Sequence, residues 1–226
     1  MRQHYDTLFA QGAEAARLGQ LLPDPYLRHP ATDTRRGLTL LIPLAPAVAH
    51  AATEALAALR PQEPALYYYP APDLHLTLLT PLTGQPGQQL SPARAQAYAA
   101  AIGEALHGAS AFDIEFNGLT LVPAGVLLQG YPAPALQLLR ERVRAGLLAA
   151  GLPVKERYLS VSAHVTAVRF PQVPAQPAAL ADYVQARREL PVGRQRVAEL
   201  LLVWNDWYNR QQHRQVLTRY QLPHGS

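Results

Sequence analysis

Two apolar segments of this chain carry one pattern. Leu74–Leu82 reads LHLTLLTPL and Ala163–Phe170 reads AHVTAVRF, so His75-Leu76-Thr77 recurs as His164-Val165-Thr166, 89 residues later. Runs of this composition and length form buried strands. Side chains alternate along a strand, which sends His75 and Thr77 to one face and Leu76 and Leu78 to the other. His164 and Thr166 likewise share a face, opposite Val165 and Ala167. The apolar face needs helices behind it. The other face then presents one imidazole and one hydroxyl side by side, twice.

The surroundings of the two segments repeat as well. Gly37–Leu44 reads as a buried strand, Pro46–Arg60 as an Ala/Leu-rich helix, and Ala65–Tyr69 as a short strand. A helix follows from Ser91-Pro92 to about His107, with Gly108 as its stop. In the second half, Phe112–Leu121 and Gly125–Gly130 read as a hairpin, Pro134–Ala150 as a helix ended by Gly151, and Gln176–Glu189 as another helix. Arg196–Trp204 and Gln215–Leu222 are closing strands around a polar loop, Asn205–Arg214. The expected fold is α+β. It is a two-lobed, pseudo-symmetric, duplicated β/α domain over residues 37–222, with antiparallel sheets around a central cleft. Residues 1–36 form an N-terminal extension. Its helix falls near Asp6–Leu21, with Leu8, Ala15, Leu18 and Leu22 at helical spacing, and Pro23, Pro25 and Pro30 break it.

Composition removes several classes of function. Hydrophobic residues make up 49% of the 226 and charged residues 16%, which suits a globular chain with a real core. No apolar run is long enough to span a membrane, and the N-terminus does not read as a signal peptide, so a cytoplasmic location is expected. There is no cysteine, hence no disulfide, thiolate ligand or cysteine nucleophile. The sequence carries no phosphate loop, no G-x-G-x-x-G and no G-x-S-x-G elbow, and its remaining histidines lack H-E-x-x-H spacing. The formal charge is +4, and Lys155 is the only lysine. Arginine suits phosphate, but a proteome-wide preference for Arg, Ala and Pro explains the same composition.

Two facing His/Thr pairs fit phosphodiester hydrolysis. Opening a 2′,3′-cyclic phosphate needs a base for the attacking water and an acid for the departing ribose oxygen. Histidine serves in either role near neutral pH. The threonine hydroxyls can donate to the non-bridging phosphate oxygens. In-line displacement needs the acid and base on opposite sides of phosphorus, as a pseudo-twofold pair of strands supplies. No metal or other cofactor is called for. His164 is assigned as the base and His75 as the acid, although the symmetry makes the reverse nearly equivalent.

Two H-x-T motifs in repeated β/α lobes resemble the 2H phosphoesterases, in particular the bacterial 2′-5′ RNA ligases, or RNA 2′,3′-cyclic phosphodiesterases. The likeness covers roughly Gly37 to Leu222. HVTAVR is similar to that group's second motif, with Arg169 at its arginine position, and HLTLLT to the first. LLVWND and VLTRYQL also look like its C-terminal end. The resemblance implies His75 and His164 as catalytic residues, with Thr77, Thr166 and Arg169 binding phosphate. It implies metal-independent opening of RNA cyclic phosphate ends to a 2′-phosphate, with 2′-5′ ligation in reverse, and a monomer acting on RNA ends or nucleotide cyclic phosphates. A small-molecule cyclic nucleotide or 2′-5′ oligonucleotide phosphodiesterase is the alternative, as is a binding module that has lost catalysis.

Several residues have two readings. Strict alternation points Arg169 away from His164 and Thr166, unless a bulge or the strand end redirects it. Tyr67, Tyr68 and Tyr69 either pack on the sheet or offer a ring to a base. Trp204, Trp207 and Tyr208 carry the same ambiguity. Arg35-Arg36 is either a solvated pair or a contact to an RNA backbone.

Overall fold

The computed structural model describes residues 1–156 and 160–223. Among these, nine strands form one curled sheet: β1 (Arg35–Pro43), β2 (Tyr67–Tyr68), β3 (His75–Pro86), β4 (Phe112–Val122), β5 (Gly125–Pro132), β6 (Val165–Arg169), β7 (Pro191–Val197), β8 (Glu199–Asp206) and β9 (Gln215–Gln221). Their order is β7-β4-β5-β6-β3-β1-β8-β9, with β2 added to β6. Every pairing between named strands is antiparallel. Five helices accompany them: α1 (Arg2–Arg17), α2 (Pro46–Glu54), α3 (Pro92–Leu106), α4 (Ala135–Ala149) and α5 (Pro177–Gln185).

The strand order is the duplication made visible. Four strands, β9-β8-β1-β3, mirror four others, β7-β4-β5-β6. The two sets meet where β3 lies beside β6, and that seam is a single ladder pair, Leu76 with Val165. The middle residues of the two H-x-T tripeptides are therefore direct neighbours. Leu76, Leu78 and Val165 are fully buried and Ala167 is nearly so, all within the main core. The fully buried Leu136, Val143, Leu147, Tyr98 and Ile102 of α4 and α3 belong to the same core.

Local chemistry explains most element boundaries. Ser91 caps α3 by accepting from the Arg94 amide, Pro92 occupies the first turn, and Gly108 ends the segment at a φ of +73°. α1 stops in a Schellman turn. Gly19 takes a φ of +67°, and the Gln20 amide donates to the Ala15 carbonyl at 2.7 Å.

Besides α2, which ends at Glu54 rather than Arg60, two expectations need correction. α1 runs from Arg2 to Arg17 rather than from Asp6 to Leu21, and it buries Tyr5, Gly12, Ala13, Ala15 and Ala16. Leu18 and Leu22 are exposed, because small residues let the helix approach the sheet closely where leucine would not fit. A Cβ on Gly12 would lie 2.4 Å from the Leu121 carbonyl oxygen. The second correction is that Arg196–Trp204 is not one strand. The chain breaks at Ala198, sending β7 to the edge of one half-sheet and β8 into the other. β7 (PVGRQRV) is polar and largely exposed, and contains Pro191 and Gly193, as suits an edge strand without apolar alternation.

Gly130 of β5 abuts the segment leading into β6. A Cβ there would come 2.0 Å from the Ala163 carbonyl oxygen, a backbone contact that cannot yield cheaply. Gly130→Ala should destabilise the protein by about 1–3 kcal/mol, seen as a lowered midpoint in thermal unfolding. An unchanged midpoint would show the β5–β6 junction to be pliable.

Candidate active site

β3 and β6 position the sequence-identified residues. His75, Thr77, His164 and Thr166 are each partly exposed, whereas the residues alternating with them are buried. Extending the Leu76–Val165 register sets His75 opposite Thr166 and Thr77 opposite His164. Residues opposed in an antiparallel pair share a face. All four side chains therefore emerge on one face, at the seam between the half-sheets.

Arg169 joins that face. Val126 pairs with Val168 and Leu127 with Thr166, so one step on β5 matches two on β6, and Ala167 is the extra residue of a bulge. Ala167 and Val168 are both buried, and Arg169 returns to the side of Thr166. Strict alternation, which pointed Arg169 away, fails here for that reason. The Arg169 Nε donates to the hydroxyl of Tyr69 at 3.1 Å, and that ring is buried.

Each imidazole is held through Nδ1 by the residue two positions earlier. His75 Nδ1 lies 2.8 Å from the Asp73 carbonyl oxygen. That oxygen can only accept, so Nδ1 carries the hydrogen and Nε2 keeps its lone pair. The Asn209 amide nitrogen packs on this contact, 3.4 Å from the same carbonyl and 3.1 Å from Nδ1. Asn209 is buried with a φ of +56°, and its side-chain oxygen accepts from Asn205 at 3.0 Å. His164 Nδ1 lies 2.7 Å from Ser162 Oγ.

Both rings are held neutral. Desolvation in the cleft brings His75 down to about 4, with Arg214 and Arg169 adding to the effect and the Asp73 carbonyl and Asp206 opposing it. His164 also falls to about 4, through desolvation and then Arg140, Arg169, His75 and His4. The surroundings differ in kind. His75 has a carbonyl and a carboxylate near it that favour imidazolium, whereas every charged or titratable neighbour acting on His164 disfavours it.

The model of the 2′-5′ RNA ligase superfamily matches residues 39–209. This chain belongs to that superfamily, the 2H phosphoesterases. Solved structures agree on the fold. The TT0787 protein of Thermus thermophilus is 21% identical with a TM-score of 0.61, over 84% of this chain and 100% of its own. LigT of E. coli in apo form is 17% identical with a TM-score of 0.58, over 84% and 99%. A conserved protein of unknown function from Agrobacterium tumefaciens, ATU0111, is 14% identical with a TM-score of 0.54, over 91% and 98%. No curated protein sequence matches the chain. Superfamily membership supports a phosphoesterase-type enzyme.

The superfamily match begins after α1, yet α1 lies on the H-x-T face. Thr120 of β4 pairs with Leu127, and Leu127 with Thr166, so all three share a face. The Thr120 hydroxyl donates to the Tyr5 carbonyl at 3.2 Å, and both Thr120 and Leu127 are buried. The Tyr5 hydroxyl reaches the Gly130 amide and carbonyl, each at 3.1 Å. α1 thus covers this face beside Thr166.

Other candidates settle as packing. Tyr69 supports Arg169, Tyr68 bonds the Glu63 carbonyl, and Tyr67 meets the Tyr69 ring edge-on at 5.1 Å. Tyr208 is fully buried. Arg35 is no solvated residue. It pairs with Asp33 at 2.8 Å and stacks between Tyr26 at 4.2 Å and Trp207 at 4.6 Å. No helix among the described residues is long and apolar enough to cross a membrane. Asp73, Ser162, Asn209 and Arg140 escaped sequence reasoning. The position two before each histidine was the available signal for the first two.

The desolvated, neutral state of the two histidines sets a pH dependence. Their folded values lie below the unfolded value of about 6.5, so the unfolded chain binds more protons between about 6.5 and about 4. The stability they allow is complete above 6.5 and is lost as pH falls through that window. Chemical denaturation across it should show this loss, and a His75→Asn/His164→Asn double variant should flatten the curve. An equally steep curve in the double variant would place the proton uptake elsewhere.

Proposed function

We propose that the protein is a metal-independent RNA 2′,3′-cyclic phosphodiesterase that uses His75 and His164 as its acid–base pair. The observation that carries this reading is the convergence of two His/Thr pairs and Arg169 on one face at the β3–β6 seam. The phosphate sits between the strands, with Thr77, Thr166 and Arg169 donating to its non-bridging oxygens. His164, whose cationic surroundings favour its neutral form, takes the proton of the attacking water as the new P–O bond forms. His75, whose Nδ1–H rests on the Asp73 carbonyl, protonates the departing ribose 3′-oxygen as its P–O bond breaks, leaving a 2′-phosphate. With a ribose 5′-hydroxyl in place of water, the same base and acid join ends through a 2′-5′ bond as the 3′-oxygen leaves.

A second reading has its own support. With Thr120 and Leu127 covered by α1, the open face is narrow beside Thr166, which suits a mononucleotide or short oligonucleotide. LigT of E. coli has been crystallised with 3′-AMP and with ATP. A length series of cyclic-phosphate substrates separates the readings. Rising kcat/KM with length supports RNA ends, and a plateau at one nucleotide supports the small substrate.

Turnover of a 2′,3′-cyclic-phosphate oligonucleotide should persist in EDTA. His75→Ala and His164→Ala should each lose about 10²–10⁴-fold in rate. Loss of turnover in EDTA, or full activity in either variant, contradicts the mechanism. The pH profile is a further check. The singly protonated pair of the free enzyme is centred near the histidine values of about 4, and an anionic substrate favours imidazolium. The optimum of kcat/KM should therefore lie at lower pH than that of kcat. Coincident optima would mean the phosphate does not sit against the rings.

A further inference from the structure

We propose that Arg140 of α4 is a positioning residue that locks the two H-x-T segments together and, through Ser162, fixes the orientation of His164. It rests on the reading of His164 as a catalytic residue.

Arg140 is among the largest side chains fully buried in the protein, at 1% exposure. Its Nε donates to the Leu78 carbonyl at 2.9 Å, and its Nη2 donates to the Thr77 carbonyl at 3.0 Å and the Ser162 carbonyl at 2.8 Å. Two of these acceptors lie on β3, one of them in the first H-x-T itself. The third lies two residues before His164, in the residue whose hydroxyl meets His164 Nδ1. Among the described residues, no carboxylate pairs with Arg140. Glu156, the acid acting on it electrostatically, is engaged by Arg144 at 2.6 Å.

This placement answers a gap in the sheet. β3 and β6 share one ladder pair, so their seam supplies few cross-strand amides to the carbonyls beyond it. Buried carbonyls need donors, and one planar guanidinium can serve several acceptors in a fixed geometry. Burying an unpaired cation is costly, and a neutral donor could satisfy the carbonyls without that cost. The charge has a use here. Burial pulls the guanidinium down to about 10, which leaves it cationic at neutral pH. The groups acting on His164 are Arg140 from α4, Arg169 from its own strand, His75 from β3 and His4 from α1, with the Ser162 hydroxyl at Nδ1. Arg140 is the largest of the charged influences keeping that ring neutral.

Four variants test the assignment: Arg140→Lys, Arg140→Met, Ser162→Ala and Ser162→Thr. Unfolding midpoints confirm folding, and NMR titration follows the imidazole of His164. The titration needs no substrate, so its outcome is independent of the assigned activity. Arg140→Lys keeps the charge but cannot span all three carbonyls. It should lose kcat on the order of 10²-fold through misplacement, with KM little changed and His164 still titrating at about 4. Arg140→Met removes the charge as well, and the His164 midpoint should rise. A folded Arg140→Lys protein with undiminished kcat, or a His164 midpoint unmoved in folded Arg140→Met, overturns the proposal. Ser162→Ala leaves the main-chain contacts of Arg140 intact and decides the matter if the arginine variants do not fold. It should change the His164 tautomer populations and lower kcat, with Ser162→Thr restoring both. Unchanged tautomers and kcat in Ser162→Ala overturn it too.

Discussion

The two four-strand sets of this sheet meet, where β3 lies beside β6, through one ladder pair. Leu76 and Val165 are the middle residues of the two H-x-T tripeptides, and their pairing decides where four reactive side chains stand. A long seam would have made the sheet continuous and stiff, with amides and carbonyls consuming one another. A single pair instead leaves backbone groups on both sides to be satisfied from elsewhere. The buried Arg140 guanidinium serves those on β3 and before β6, and the Tyr5 hydroxyl serves Gly130 on β5. The site is consequently held by side chains from two helices as well as by the strands that carry it.

Electrostatics follow from that construction. Arg140 and Arg169 act on His164, and Arg169 and Arg214 on His75, while desolvation holds both rings neutral. A cleft with fixed cations and uncharged histidines is complementary to an anion. In the proposed reaction the phosphate supplies the missing negative charge, and its arrival stabilises imidazolium on the ring that already leans on a carbonyl.

The N-terminal helix adds something that the superfamily match, beginning at residue 39, does not include. α1 lies on the H-x-T face and buries its continuation across β4 and β5. Gly12, Ala13, Ala15 and Ala16 make that approach possible by leaving room for the strand backbone. The segment after it is pinned by the stacked and ion-paired Arg35. Residues outside the superfamily match thus cover part of the face that carries the H-x-T tripeptides.

The sequence by itself determined the strands, the helices and the pairing of each histidine with its threonine. These rest on local periodicity: two residues per repeat in a strand and 3.6 in a helix, with prolines and glycines as punctuation. It also determined that the repeat would set two such pairs against each other. What only the tertiary structure decided depends on contacts distant in the chain. The Ala167 bulge turns Arg169 into the cleft because β5 sets the register of β6, and no period within VTAVR encodes that. The break at Ala198 separates β7 from β8 because their partners lie in different half-sheets, although RVAELLLVW reads as one apolar run. Arg140 looks like one more charged residue of an amphipathic helix. It is buried where three main-chain carbonyls, two on β3 and one just before β6, converge on it, a juxtaposition that exists only once β3 and β6 have met.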